Sequence, residues 1–262
     1  MILGYDRKIW KEFKIKAPVR MTLGKNYAHL LLSGCSGSGK SYCALWYLWQ
    51  LLYHHESNVY IADYKAGEEY SFLEGSPSYA SGENAFQILE DFYQFFSEVR
   101  KNRIRLKQNY ALFVEEYLGI LTYAETVSKK KKTEILTQIS ELLAVGRGLG
   151  IKIIICVQRA DSNNFHAGAR DNFQCVVNLG RCSSEAFRML GFNHELENNP
   201  TADFQVGEGL VLMDGQGSVR EIKVPFITNG EVLCRQLRHA LDNQPDLPSL
   251  LRAVAEGKSP EQ

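Results

Sequence analysis

The sequence predicts an α/β fold: a mainly parallel central sheet flanked by helices on both faces, followed by a C-terminal β-hairpin and helix. Three observations predict it. Short apolar runs of strand character alternate with longer helical patterns along most of the chain. A glycine-rich turn, Gly34–Ser41, falls between one such strand and one such helix. Near the end, two strand-like runs flank Asp214-Gly215-Gln216-Gly217, a hairpin signal.

The elements follow in order. His29–Ser33 (HLLLS) reads as a short buried strand and Ser41–His54 as an apolar helix. Val59–Ala62 is a second strand ending at Asp63, and a loop rich in Gly, Ser and Pro covers Gly67–Gly82. A long helix is expected over Asn84–Gln108, because Phe86, Leu89, Tyr93, Phe96 and Val99 recur three or four apart and paint one face. Ala111–Val114 is the third strand, and Thr133–Val145 a helix with Ile135, Ile139, Leu142 and Leu143 on one stripe. Ile151–Val157 (IKIIICV) and Cys175–Leu179 (CVVNL) are further strands, and Ser183 or Ser184 opens a short helix. Gly209–Met213 and Val219–Val224 form the hairpin, and Asn229 caps a last helix to Leu241. The residues after Asn243, with three prolines, read as a loose tail. No internal repeat is visible. The expected division is an N-terminal segment (1–24), one α/β domain (25–228), and a C-terminal helix with its tail (229–262).

Composition narrows the classes. With 262 residues and 45% hydrophobic content, the chain can bury one sizeable core. Thirty basic residues balance thirty acidic ones, which excludes a wholly basic nucleic-acid coat but leaves room for a local basic patch. The six cysteines form no CxxC pair and mostly sit in apolar runs, as buried reduced thiols do. The longest apolar run, Ala44–Tyr53, contains Gln50 and is too short to span a bilayer. No secretory signal is visible at Met1, so a soluble, cytoplasmic protein is expected.

The strongest motif is Gly34-Cys35-Ser36-Gly37-Ser38-Gly39-Lys40-Ser41, which fits G-x-x-x-x-G-K-[ST] between a strand and a helix. The glycines let backbone N–H groups curl around phosphates, and the positive end of the next helix faces the same anion. Lys40 is expected on the β- and γ-phosphates of ATP, and the Ser41 hydroxyl on Mg²⁺. The strand Leu112-Phe113-Val114 ends in Glu115 and Glu116. In a doubly wound sheet, ligands collect at the carboxyl ends of the strands. Glu115 is then expected to orient Mg²⁺ and Glu116 to polarise the attacking water; two solvated glutamates are the bland alternative. Asp is usual where Glu115 stands, so its extra methylene leaves open a shifted metal or an exchange of roles within the pair.

At this point the residues carry a resemblance. HLLLSGCSGSGKS, LFVEEYLGIL, TVSKKKKTEILTQISELLAVGRGLGIKIIICVQRA and LGRCSSEAFRMLG resemble, in order, the motor domain of the FtsK/SpoIIIE family of DNA translocases, P-loop ATPases of the HerA/FtsK type. The similarity covers roughly residues 25–225, and its most specific piece runs from Gly146 to Arg159. It implies a RecA-like ATPase that closes as a ring, usually a hexamer, around DNA. It also implies sequence-independent pumping of duplex DNA or, in the conjugative branch, DNA transfer. Gln158 falls on the family's polar sensor of the γ-phosphate. Arg147, Arg181 and Arg188 align with family arginines, one of which would reach the neighbour's nucleotide; Arg181 is the first choice, and structural ion pairing is the alternative for each. Lys129, Lys130, Lys131 and Lys132 fall where the family has a loop facing the central channel, with Arg159 and Arg170 in or beside a second such loop. A merely solvated loop remains the other reading of the lysine run. Asp63 and Lys65 match a D-x-K pattern with no assigned role.

The family's membrane-spanning region, linker and DNA-reading winged helix are not visible, so a stand-alone motor of a plasmid, phage-like or conjugative element is expected. A relaxase, a replication protein or a secretion channel is its candidate partner. The competing expectation is a nucleotide-gated binding or assembly module that hydrolyses ATP slowly, with Glu115 marking a retuned site. Trp46, Tyr47 and Trp49 read as core or subunit contact, and Tyr5, Trp10 and Phe13 as aromatics able to dock on a neighbour.

Overall fold

The computed structural model describes residues 1–22, 29–159, 164–165, 168–192, 201–215 and 218–260. The expected domain start at Lys25, the hairpin residues Gln216 and Gly217, and much of the second expected DNA loop lie outside the described residues. The strands are β1 (Ile2–Asp6), β2 (Pro18–Arg20), β3 (Leu30–Gly34), β4 (Ser57–Asp63), β5 (Tyr79–Ser81), β6 (Asn109–Glu115), β7 (Ile151–Val157), β8 (Cys175–Leu179), β9 (Glu208–Met213) and β10 (Arg220–Lys223). They form one sheet in the order β2-β1-β10-β9-β8-β3-β7-β6-β4-β5. From β8 to β5 the neighbours are parallel, and from β8 to β2 they are antiparallel.

The helices are α1 (Arg7–Phe13), α2 (Lys40–His54), α3 (Ala85–Lys101), α4 (Tyr117–Val127), α5 (Lys129–Val145), α6 (Ser184–Met189), α7 (Gly230–Asp242) and α8 (Leu247–Ala255). Side chains alternate across a strand, so the apolar runs of the central strands feed two cores. Leu31, Leu112, Val114, Ile153 and Ile155 pack with α3, α4 and α5, whereas Leu30, Leu32, Phe113, Ile154 and Cys156 pack with α2 and α7. The expected α/β architecture with a mainly parallel sheet and a late hairpin is what the chain adopts.

Several boundaries moved, each for a local reason. The N-terminal segment, expected apart from the α/β domain, joins its sheet: β1 pairs with β10 and with β2. Buried Arg7 pins it there, bonded to Glu208, Glu221 and Asp203 at 2.7, 2.8 and 2.9 Å. α3 ends at Lys101 instead of reaching Gln108, because Arg103 turns left-handed (φ 54°). Ile104 N then bonds to Val99 O and Arg103 N to Arg100 O, a Schellman closure. α5 begins at Lys129, not Thr133, since the Ser128 hydroxyl accepts from Lys131 N at 3.0 Å and caps it. The lysine run is therefore the first turn of a helix and not a loop. The tail after Asn243 is not loose either. Asp246 caps α8, Pro248 sits in its first turn, and Leu247, Leu250 and Val254 bury against α3.

Candidate functional site

β3 delivers the chain to the centre of the sheet, and the turn that follows needs glycine. Gly37 and Gly39 lie at φ 77° and 90°, a region where any side chain is strained. A Cβ on Gly34 would come within 2.6 Å of Ser38 Oγ. Gly39 caps α2 with no side-chain hydrogen bond, and no acidic residue stands in the first turn. The first N–H groups of α2 are thus left for an anion.

The turn opens onto a cavity of about 350 Å³. Its walls are Gly34, Cys35, Ser36, Gly37, Gly39, Lys40 and Ser41 from the turn, joined by Glu116, Gln158, Lys65, Glu69, Tyr42 and Val206. Ser38 lies buried beneath, its carbonyl accepting from Gly207 N at 2.9 Å. β7 is inserted between β3 and β6, so Gln158, just past its end, stands between the phosphate turn and the acidic strand. Sequence spacing alone does not reveal that insertion.

The two glutamates are held differently. Glu115 is buried, with Oε1 2.5 Å from Lys40 Nζ and Oε2 accepting from the Tyr70 hydroxyl at 3.4 Å. Burial works to lower the Lys40 pKa, but Cys156 and the carboxylates of Glu115 and Glu116 more than reverse this and hold it above the ordinary lysine value. Glu116 lines the cavity with a left-handed backbone, φ 54° and ψ 53°, as the N-cap of α4. Its Oε2 is enclosed and has no hydrogen-bond partner. A strained, non-glycine backbone and an orphaned carboxylate oxygen at one residue are features that collect at reacting centres.

Two residues joined the site that were not assigned to it from sequence. The Ser41 hydroxyl donates to Glu69 Oε1 at 3.1 Å, and Lys65 Nζ binds the same oxygen at 2.7 Å. Lys65 holds the Glu69 carboxyl below its usual range, and that pairing raises Lys65. The D-x-K pattern pointed to Lys65. Glu69 lies four residues on, in a 3-10 turn (Glu68–Leu73) within the stretch expected to be a loop. Asp63 is buried and accepts from the Tyr79 hydroxyl at 2.9 Å and from Ala66 N, so it braces the turn after β4. Burial raises its pKa.

These residues fit Mg-nucleotide. No group of three or more His, Cys, Asp or Glu side chains among the described residues forms a cage for a bare ion. Ser41, Glu69 and Glu116 instead offer hard oxygens at the phosphate turn, as suits a Mg²⁺ that arrives on phosphates. Glu115 faces Lys40, not Ser41.

The other expected functional residues lie apart. Arg181 follows Gly180, where a Cβ would sit 2.9 Å from Ser38 Cβ, so it stands beside its own phosphate turn. Arg147 lies near the opposite end of the strands, in a cleft of about 560 Å³ lined also by Arg100, Arg103, Arg105, Lys107 and Lys152. Of the lysine run, Lys131 pairs with Glu134 and Lys132 with Glu125, while Lys129 and Lys130 are exposed. Arg170 is half-buried in a 3-10 turn against α5, with Nη1 enclosed and unpartnered. The cysteines are all free thiols; Cys43, Cys156, Cys175 and Cys182 are buried, but Cys35 in the phosphate turn is exposed.

No family model matches the chain. A curated relative, the FtsK domain-containing protein YdcQ of Bacillus subtilis (strain 168), is 24% identical over 228 residues. That match takes in 81% of this chain but 46% of YdcQ, so the chain spans about half the relative's length. Among solved structures, the pCW3 conjugation coupling protein TcpA, in its monomer form with ATPγS, superposes with a TM-score of 0.63 at 20% identity, covering 90% of this chain and 73% of that one. The cytoplasmic domain of the Thermomonospora curvata type VII secretion ATPase EccC gives 0.65 at 15% identity, over 94% of this chain and 31% of EccC. The genome packaging NTPase B204 of Sulfolobus turreted icosahedral virus 2, with ATPγS, gives 0.54 at 17% identity, over 77% of this chain and 99% of B204. The fold is that of FtsK-type P-loop ATPases, and the resemblance read from the sequence is borne out. No helix among the described residues is long and apolar enough to cross a membrane.

Proposed function

We propose that this chain hydrolyses Mg-ATP to drive the movement of DNA as one subunit of a ring. The observation that carries the reading is the gathering of the phosphate turn, Lys40, Ser41, Glu116 and Gln158 around one cavity. Bound Mg²⁺ would neutralise charge on the phosphates. Lys40 leaves Glu115 to hold the β- and γ-phosphates, and Ser41, with Glu69 beside it, would hold the metal. Glu116 accepts the proton of the attacking water at Oε2, and Gln158 bonds the γ-phosphate and registers its loss.

Arg147 is taken over Arg181, the first choice from sequence, as the arginine that reaches a neighbour's nucleotide, because Arg147 lines a basic cleft apart from its own phosphate turn. TcpA, EccC and B204 are, by their descriptions, conjugation, secretion and genome-packaging proteins; a conjugative or packaging setting follows for this chain by analogy. Lys129 and Lys130 are the proposed phosphate contacts with duplex DNA, supported by their exposure at the start of α5.

One observation favours the slower, nucleotide-gated assembly reading: the Lys40–Glu115 pair must open before phosphate can bind. Steady-state ATPase rates with and without long linear duplex DNA separate the two, with Glu116→Gln as the blank. DNA-stimulated turnover that vanishes in the blank is expected; a slow rate indifferent to DNA would transfer the function to assembly.

A further inference from the structure

The mouth of the cavity carries apolar surface that phosphate chemistry does not use. Tyr42, Val206 and Phe226 are large hydrophobic side chains exposed at 39%, 71% and 81%. Two of them, Tyr42 and Val206, line the cavity itself. The third stacks on Tyr42, with ring centroids 5.9 Å apart and planes 19° from parallel. Leaving an aromatic ring this open has a cost that an aromatic ligand would relieve.

The three come from separate parts of the chain; hydrogen bonds fix Tyr42 and the backbone beside Val206, and Phe226 is held by its stacking on Tyr42. The Tyr42 hydroxyl donates to Ile227 O at 3.1 Å, tying the first turn of α2 to the segment after β10. Gly207 N donates to Ser38 O at 2.9 Å, and Val224 N to Gly207 O at 2.8 Å. Val206 therefore abuts the phosphate turn, where a Cβ on Gly39 would meet its Cγ1 at 3.2 Å. Pro225 fixes the backbone immediately before Phe226. The platform is preformed, and it begins where α2 receives the phosphates.

We infer that Tyr42, Phe226 and Val206 form the base-binding subsite, with the nucleobase stacking on the exposed Phe226–Tyr42 pair and Val206 closing its edge. This deepens the Mg-ATP reading and rests on it: phosphates anchored at Gly39–Ser41 direct the rest of the nucleotide toward the next residue, Tyr42. Stacking recognises a π-face and not an exocyclic group, so the platform selects the larger purine ring over a pyrimidine and separates adenine from guanine only weakly.

Phe226→Ala is the direct variant, since so exposed a ring contributes little to the core. Calorimetric titration of the intact chain in Mg²⁺ compares ATPγS with inorganic tripolyphosphate, which has the phosphates without the base. Phe226→Ala should weaken ATPγS about tenfold and leave tripolyphosphate unchanged, whereas Phe226→Tyr should restore ATPγS. Unchanged ATPγS affinity in Phe226→Ala, or an equal loss for both ligands, overturns the subsite. A wild-type chain that binds neither ligand overturns the nucleotide reading itself, and the subsite with it.

Discussion

Lys40 and Glu115 form a buried ion pair, Nζ to Oε1 at 2.5 Å, with side chains 9% and 1% exposed. The lysine of the phosphate turn and the carboxylate expected on the metal hold each other. A buried pair contributes little over a well-packed apolar substitute, but losing one partner strands the other's charge.

Lys40→Ala should therefore do more than remove phosphate binding. It leaves Glu115 buried and unpaired, and should cost about 3–5 kcal/mol in urea unfolding. The double variant Lys40→Ala/Glu115→Gln should recover most of that stability while still failing to bind ATPγS. A single variant as stable as the wild type would mean that the pair is not held in solution.

Glu116 combines a left-handed backbone with an unpartnered oxygen. A non-glycine residue there carries roughly 1–2 kcal/mol of strain. Glu116→Gly should raise the unfolding free energy by about 1 kcal/mol and abolish turnover, with ATPγS still bound. Activity that survives this change would remove Glu116 from the chemistry.

Lys129 and Lys130 stand exposed at the positive end of α5, where cations oppose the helix dipole. Lys129→Gln/Lys130→Gln should stabilise the fold slightly, by about 0.3–1 kcal/mol for each lysine. If the two touch DNA phosphates, the same change lowers the slope of log affinity against log salt by about 2. An unchanged slope takes the start of α5 off the DNA path.

His29 is fully buried, its Nδ1 accepting from Ile153 N at 3.1 Å. Burial, then Lys152 and Arg147, push its pKa down to about 3 from 6.5. Because the unfolded chain binds this proton first, the stability His29 contributes is present above about pH 6.5 and is lost as pH falls toward 3. Between pH 6.5 and 5 the loss should approach about 2 kcal/mol, since each unit is worth ~1.4 kcal/mol. His55, lowered to about 4, acts in the same direction, so the comparison with His29→Gln isolates the His29 share. Equal pH slopes in the two proteins would show that His29 does not titrate as buried.

The central strands were the most legible part. Ile151–Val157 and Cys175–Leu179 appear with the expected bounds, because strands buried on both faces are unbroken apolar runs. Asn229 caps α7 as expected, its side chain accepting from Val232 N at 3.1 Å. α4 was missed, as it starts directly after Glu116, whose own left-handed backbone makes the turn from β6 into the helix. β1 and β2 were missed because both are short, β2 lies at the sheet edge, and β1 takes its inner partner, β10, from more than two hundred residues away.

The sequence by itself determined the phosphate turn, the strand that leads into Glu115 and Glu116 and the strand just before Gln158, since each depends on contiguous residues and local backbone geometry. Only the tertiary structure decided what those residues face. Inserting β7 between β3 and β6 sets Gln158 at the cavity, turns Glu115 onto Lys40 and leaves Glu116 to the open side. The turn after β4 and the antiparallel β9–β10 pair bring Glu69, Val206 and Phe226 to Ser41, Gly39 and Tyr42. Those partners are set by sheet order and by long-range packing, and neither leaves a periodic trace in the chain.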